Sequence, residues 1–260
     1  MRPILLLVPA LLLGASALEA QKKDDAFDWK GRIAAGKTLA ISGINGNISV
    51  TQSSGAEAVV HATKHARKGN VNAVQVKVEE DADGITICAI YSEDTSRTCS
   101  SKSSHHHDDS DDDDDVSVDF TVQVPAGVRF VGNTVNGGIE ASGLTADAQV
   151  TTVNGDVELA TTGVGSATTV NGSVKLRLGK SNWTGSLDAK TVNGSVLVEM
   201  PTPTDLEVSA GTLNGSVSSD FPLTMQGKMS MQKLRGTIGK GGPKLRLESV
   251  NGDVSLRRAS

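Results

Sequence analysis

Thr134-Val135-Asn136-Gly137 recurs as Thr152-Val153-Asn154-Gly155, Thr169-Val170-Asn171-Gly172 and Thr191-Val192-Asn193-Gly194, with looser copies at Ile44-Asn45-Gly46, Leu213-Asn214-Gly215 and Val250-Asn251-Gly252. The asparagines of the main block stand at Asn136, Asn154, Asn171, Asn193, Asn214 and Asn251, so the steps are 18, 17, 22, 21 and 37 residues. Repetition at this period means one small unit stacked on itself, and the period suits one turn of a β-solenoid. Leu234-Arg235-Gly236-Thr237-Ile238 reads as a worn copy that splits the long step into 21 and 16.

Counting from the apolar residue before Asn-Gly, the fourth position is Ile48, Ile139, Val157, Val174, Val196, Val217 or Val254. The sixth is apolar as well, as in Val50, Leu159, Leu176, Val198 and Leu256. Alternation with period two is the pattern of a strand with one buried face. Glu158, Lys175, Arg177, Glu199, Ser255 and Arg257 fall between and face water. Before the corner the alternation holds at minus five and minus three, in Leu39 and Ile41, Leu187 and Ala189, Leu245 and Leu247. From minus three to zero the step is odd, so the phase slips and the chain bends there.

Asn-Gly is also the strongest short hairpin signal, because it supplies positive φ at two successive residues. An antiparallel meander is therefore the rival architecture; the repeated phase slip favours a corner. The expected fold is an all-β, single-domain β-solenoid, parallel β-helix-like, built from 16–22 residue T-V-N-G rungs with one inserted hairpin loop. In such a stack the asparagine amides lie about 4.8 Å apart and hydrogen-bond one another as a structural ladder.

The first 20 residues carry Arg2, an apolar run over 4–13 and then small residues, which reads as a secretory signal peptide too short to span a bilayer. Residues 21–260 then form the exported domain, periplasmic or extracellular, with no transmembrane segment once the signal is removed. Aromatic residues are only 3% of the chain, which fits thin rungs of Val, Leu, Ile and Ala. Formal net charge is −5, and seven of the acids lie within residues 108–115. The remainder is slightly basic overall, with no cationic surface suited to nucleic acid.

Gly31-Arg-Ile-Ala-Ala-Gly36-Lys37-Thr38 matches the phosphate-loop pattern in letters only, because a strand and a repeat corner follow it instead of a helix. Trp29 is placed to plug an open end of the stack. His61 and His65 are four apart without the glutamate of a zincin motif, and read as surface residues. Strands over 84–91 and 116–124 flank a low-complexity inserted loop, 92–115. It holds Cys99 and the tract His105, His106, His107, Asp108, Asp109. Cys99 and Cys88 pair most simply as a disulfide in an exported chain. The tract supplies imidazole and carboxylate, ligands for Zn, Ni or Ca, although such tracts are usually solvated. No cofactor is expected.

Ser42-Gly43-Ile44-Asn45-Gly46, the run from Val118 through Phe120, Val122 and Val124-Pro125 to Gly127-Val128, the T-V-N-G series and Ser219-Asp220-Phe221-Pro222-Leu223 together resemble the "putative adhesin" family of exported bacterial β-solenoid domains, relatives of the GIN head domains. The resemblance covers roughly residues 27–258. It implies architecture and brings no catalytic residues with it. The leading expectation is a non-enzymatic scaffold that contacts a cell-envelope protein or glycan along its flank. The chain shows neither G-x-S-x-G nor H-E-x-x-H. The alternatives are a carbohydrate-active β-helix enzyme, with Asp156 and Asp253 as its scattered carboxylates, and metal binding through the His/Asp loop.

Overall fold

The computed structural model describes residues 26–68, 70–92, 96–99, 115–225 and 230–259. The expected signal peptide and the 105–109 tract lie outside the described residues. β1 (Ala26–Arg32) precedes the first rung, which is β2 (Thr38–Ser42) and β3 (Ile48–Gln52). An excursion of β4 (Glu57–Lys68), β5 (Val74–Glu80), β6 (Gly84–Tyr91) and β7 (Asp115–Val124) follows. Four regular rungs come next: β8 (Arg129–Asn133) with β9 (Ile139–Leu144), β10 (Ala148–Thr151) with β11 (Val157–Thr161), β12 (Gly165–Thr168) with β13 (Val174–Leu178), and β14 (Ser186–Lys190) with β15 (Val196–Met200). The chain ends with β16 (Leu206–Gly211), β17 (Val217–Ser219), β18 (Thr224–Met225), β19 (Lys233–Ile238), β20 (Lys244–Glu248) and β21 (Val254–Arg258).

In each rung the strand before Asn-Gly lies in one sheet and the strand after it in the other. One sheet runs β1-β4-β7-β3-β9-β11-β13-β15-β21-β17 and the other β18-β19-β16-β20-β14-β12-β10-β8-β2-β6-β5. The repeat strands pair in parallel, so like residues stack: Val174 lies beside Val157 and Val196, and Leu176 beside Leu159 and Val198. Those side chains, with Leu187, Ala189, Leu245 and Leu247 from the opposite sheet, are buried in the core. Burying one Val, Leu or Ile contributes about 1.5–3 kcal/mol, so each added rung supplies its own share of the core.

Two expectations need correction, and the stacking order adds a difference of its own. Spatial order departs from chain order at the far end, because β21 pairs with β15 on one side and β17 on the other. The last rung in sequence is thus inserted between its two predecessors. The supposed worn copy at 234–238 is no rung, since β19 runs antiparallel to β16 and, with β18 antiparallel beyond it, closes that end of the sheet. Its alternation of Leu234, Gly236 and Ile238 suits any strand with one buried face. Finally, the insertion is not a hairpin. β6 continues one sheet beside β2 and β7 continues the other beside β3, so the two strands that flank the insertion do not pair with each other.

The ends are closed by antiparallel strands and large side chains. Trp29, on edge strand β1, packs partly buried against the core beside the glycine at 31, where a Cβ would sit 2.5 Å from its ring. At the other end Phe221 is buried, Arg258 lies over its ring at 5.7 Å, and Arg257 Nη1 donates to Asp220 Oδ1 at 2.6 Å. Arg257 and Arg258 therefore secure the cap from an interior rung. Gly31 to Thr38 is a strand end and a turn leading into β2, with Lys37 Nζ donating to the Ala82 carbonyl at 2.7 Å.

Candidate functional site

The edge along which the sheets are joined repeats the four letters, and in three of them the side chain, or its lack, joins one rung to the next. The Thr hydroxyl donates to the Gly carbonyl of the preceding rung: Thr152 to Gly137 at 2.8 Å, Thr169 to Gly155 at 2.9 Å, Thr191 to Gly172 at 2.7 Å. Ser249 and Thr212 do the same in the displaced rungs, to Gly194 and Gly252, both at 2.8 Å. The Gly admits no side chain. At Gly172, with φ at 153°, a Cβ would lie 2.1 Å from the Gly155 carbonyl oxygen.

The asparagines form a continuous ladder. Each Nδ2 donates to the Oδ1 below it: Asn136 to Asn45, Asn154 to Asn136 and Asn171 to Asn154 at 2.8 Å, then Asn193 to Asn171, Asn251 to Asn193 and Asn214 to Asn251 at 2.7 Å. Asn251 precedes Asn214 in the ladder, as the strand order requires. Tyr91 ends it at Asn45: its hydroxyl donates to the Asn45 carbonyl at 3.0 Å and accepts from the Asn45 N–H at 3.2 Å. Burial raises the Tyr91 pKa.

The position after Gly forms a second polar row. Asn47 accepts from the Gly138 N–H, Asp156 from the Ser173 N–H and Asp253 from the Ser216 N–H, and Asp119 on β7, which is not at such a position, continues the row by accepting from the Asn47 N–H, all at 2.7 or 2.8 Å. The bonds from Ser216 hold the Asp253 pKa below the usual carboxylate range. Asp156 and Asp253 are thus acceptors for the backbone of the next corner.

The valine is the exception. Val135, Val153, Val170, Val192 and Val250 are each 37–38% exposed, and Leu213 in the same position reaches 64%. In rung order they form a single row on the outside of the corner. With half-buried Ile44 the row spans seven rungs, roughly 29 Å at the usual strand spacing. Beside its far half runs a trough of about 590 Å³, whose lining includes Val170, Val192, Val250 and Leu213 together with Lys190 and Lys233. Beside its near end lies a cleft of about 280 Å³ that includes Ile44, Val135, Tyr91 and Arg97. Arg97 is carried there by the Cys88–Cys99 disulfide, whose Cα atoms are 5.6 Å apart. Lys77 Nζ donates to the Arg97 carbonyl at 2.5 Å, and the Cys99 N–H to Glu79 Oε1 at 2.7 Å.

Sequence reasoning used this valine only as an origin for counting, and missed that it faces solvent. The odd step from minus three to zero carried the signal, because it turns the zero position out of the core. On the outer face of the β13 sheet, Arg177 bonds Glu199 Oε2 at 2.5 Å and Glu158 Oε1 at 2.6 Å. His61 pairs with Asp28 at 2.6 Å and His65 with Asp119 at 3.3 Å, all exposed. Among the described residues no three His, Cys, Asp or Glu side chains gather as a metal site, and His105, His106, His107, Asp108 and Asp109 lie outside those residues. No helix of the described residues is long and apolar enough to cross a membrane.

A family profile, Toastrack DUF4097, matches residues 17–257. A comparison with curated proteins finds no match. Among solved structures, the chain is similar to a putative cell adhesion protein from Clostridium sporogenes at 10% identity and TM-score 0.49, covering 90% of this chain and 100% of that one. It is also similar to a putative adhesin from Bacteroides fragilis at 14% identity and TM-score 0.40, covering 90% and 97%.

Proposed function

The chain belongs to the Toastrack DUF4097 family, and from that premise we propose that it is a non-enzymatic, adhesin-like binding scaffold of the cell envelope. In this reading residues 1–20 are an export signal and residues 21–260 form one domain that works in the periplasm or outside the cell. Its docking surface is the row of exposed valines and the trough beside it, and its partner is an envelope protein or glycan.

One observation carries the reading. The Thr and Asn side chains bond the neighbouring rung and Gly makes room for its backbone, whereas the valine joins rungs only through its own backbone, whose carbonyl accepts from the next Asn N–H, and over a third of each of the five valines stays exposed. Repeated apolar exposure on a surface otherwise rimmed by polar groups is the usual mark of an interaction site, and solenoids offer long surfaces of this kind. The carbohydrate-active alternative is less favoured, because Asp156 and Asp253 are engaged with backbone N–H groups. A general acid needs a raised pKa, and the Asp253 pKa is lowered.

A pull-down from envelope extract tests the proposal, using the 21–260 protein, a Val153→Thr/Val170→Thr/Val192→Thr variant and a variant lacking residues 104–115. Capture by the parent and the loop deletion, with loss in the triple variant, is the expected result. Capture lost only with the loop would move function to the insertion, and metal uptake lost with it would favour the metal reading.

A further inference from the structure

The apolar row does not end as it runs. Its last member, Leu213, and Met231 beside it are the two most exposed large hydrophobic residues described, at 64% and 80%. They sit on the two segments that close the far end of the solenoid. The Thr212 N–H donates to the Gln232 carbonyl at 2.9 Å, Gln232 Nε2 to the Leu213 carbonyl at 2.8 Å, and the Val217 N–H to the Met231 carbonyl at 2.8 Å. Both apolar side chains are therefore held by backbone bonds at the tip.

Cations stand next to them. Lys233 and Arg235, exposed on β19, line the same trough as Leu213. Neither has a carboxylate partner within 4 Å among the described residues, unlike Lys190 and Arg246 on the same face. Lys190 reaches Asp188 at 3.3 Å and Glu248 at 3.5 Å, and Arg246 lies 4.0 Å from each of the same two acids. Glu248, the acid that faces the trough, is thus occupied by Lys190 and Arg246. Gly211 and Ser209 lie beside Lys233 and Arg235 in register and leave the cations uncovered.

We propose that this tip is a contact site for an anionic lipid surface, with Leu213 and Met231 entering the interfacial layer and Lys233 and Arg235 meeting the anionic headgroups. Two exposed apolar side chains flanked by unpaired cations have the chemistry of a peripheral membrane contact, in which modest insertion and headgroup attraction act together. The site takes the far end of the row and its trough, Leu213 with Lys233 and Arg235, so the rod would stand with its tip at the membrane and leave the corners from Val135 to Val192 open to the proposed partner.

The test is vesicle flotation of the protein lacking residues 1–20, so that the apolar run at 4–13 contributes nothing. Vesicles of phosphatidylcholine with and without phosphatidylglycerol are compared at low and high salt. The parent should float with the anionic vesicles only, and less at high salt. Leu213→Ser/Met231→Ser and Lys233→Glu/Arg235→Glu should each weaken partitioning by at least about tenfold. Val153→Thr should leave it unchanged, and circular dichroism should show every variant folded. Equal flotation with neutral vesicles, none with anionic ones, or an effect of only one of the two tip pairs would overturn the proposal. So would a dimer in solution that Leu213→Ser/Met231→Ser dissociates, since the patch would then join copies of the chain. Failure of the stripe variants in envelope capture bears on the docking flank alone.

Discussion

At one corner, the letters are not interchangeable. Gly172→Ala places a methyl 2.1 Å from a backbone oxygen at a positive φ, and should cost more than about 3 kcal/mol in denaturant unfolding. Asn171→Ala opens the ladder on both sides, losing the bonds to Asn154 and from Asn193, with an expected cost of about 1–2 kcal/mol. Tyr91 gives a pH signature. Its folded pKa is raised, so its stabilising contribution is complete below the ordinary tyrosine value, about 10, and is lost as pH rises through the folded value. The chain has a single tyrosine, so phenolate absorbance reports it alone. The titration midpoint should lie above the ordinary value, and Tyr91→Phe should abolish the alkaline loss of stability that accompanies it. Much of this scale was legible beforehand, because a ladder of identical amides needs identical spacing. The outward valine was not, since an apolar letter next to a buried Thr reads as core until the phase slip is followed through.

For the elements, the strands of the regular rungs followed directly from period-two alternation, and β6 and β7 from the runs at 84–91 and 116–124. Their neighbours did not. The corners at Asn214 and Asn251 share a hydroxyl residue, an apolar residue and Asn-Gly in the same register, so the repeat pattern alone does not say which of them stacks on Asn193. The choice is made by β19, which turns back antiparallel and seals β16 as the outer strand. Truncation after residue 243 therefore does more than remove a final rung. It takes away β20 and β21, on which β16 and β17 rest. Hydrogen exchange on that truncated protein should show loss of protection across 206–238 as well, while 129–178 stays protected. Cys88→Ala/Cys99→Ala should cost about 2–3 kcal/mol through the short loop it opens, and should release the segment that carries Arg97.

Across the whole molecule, the parallel stack turns a four-letter motif into a rod with one repeated apolar row on its edge, and the proposed function rests on that row being dispensable for folding. The most direct measurement pairs two sets of substitutions at the same corners, Val170→Thr/Val192→Thr and Asn171→Ala/Asn193→Ala. Denaturant stability and capture of the envelope partner are read on both. The valine pair should keep stability within about 0.5 kcal/mol, as surface changes do, and lose capture. The asparagine pair should lose stability. A valine pair that unfolds the protein, or that stays folded and still captures its partner, would contradict the assignment of the stripe to binding.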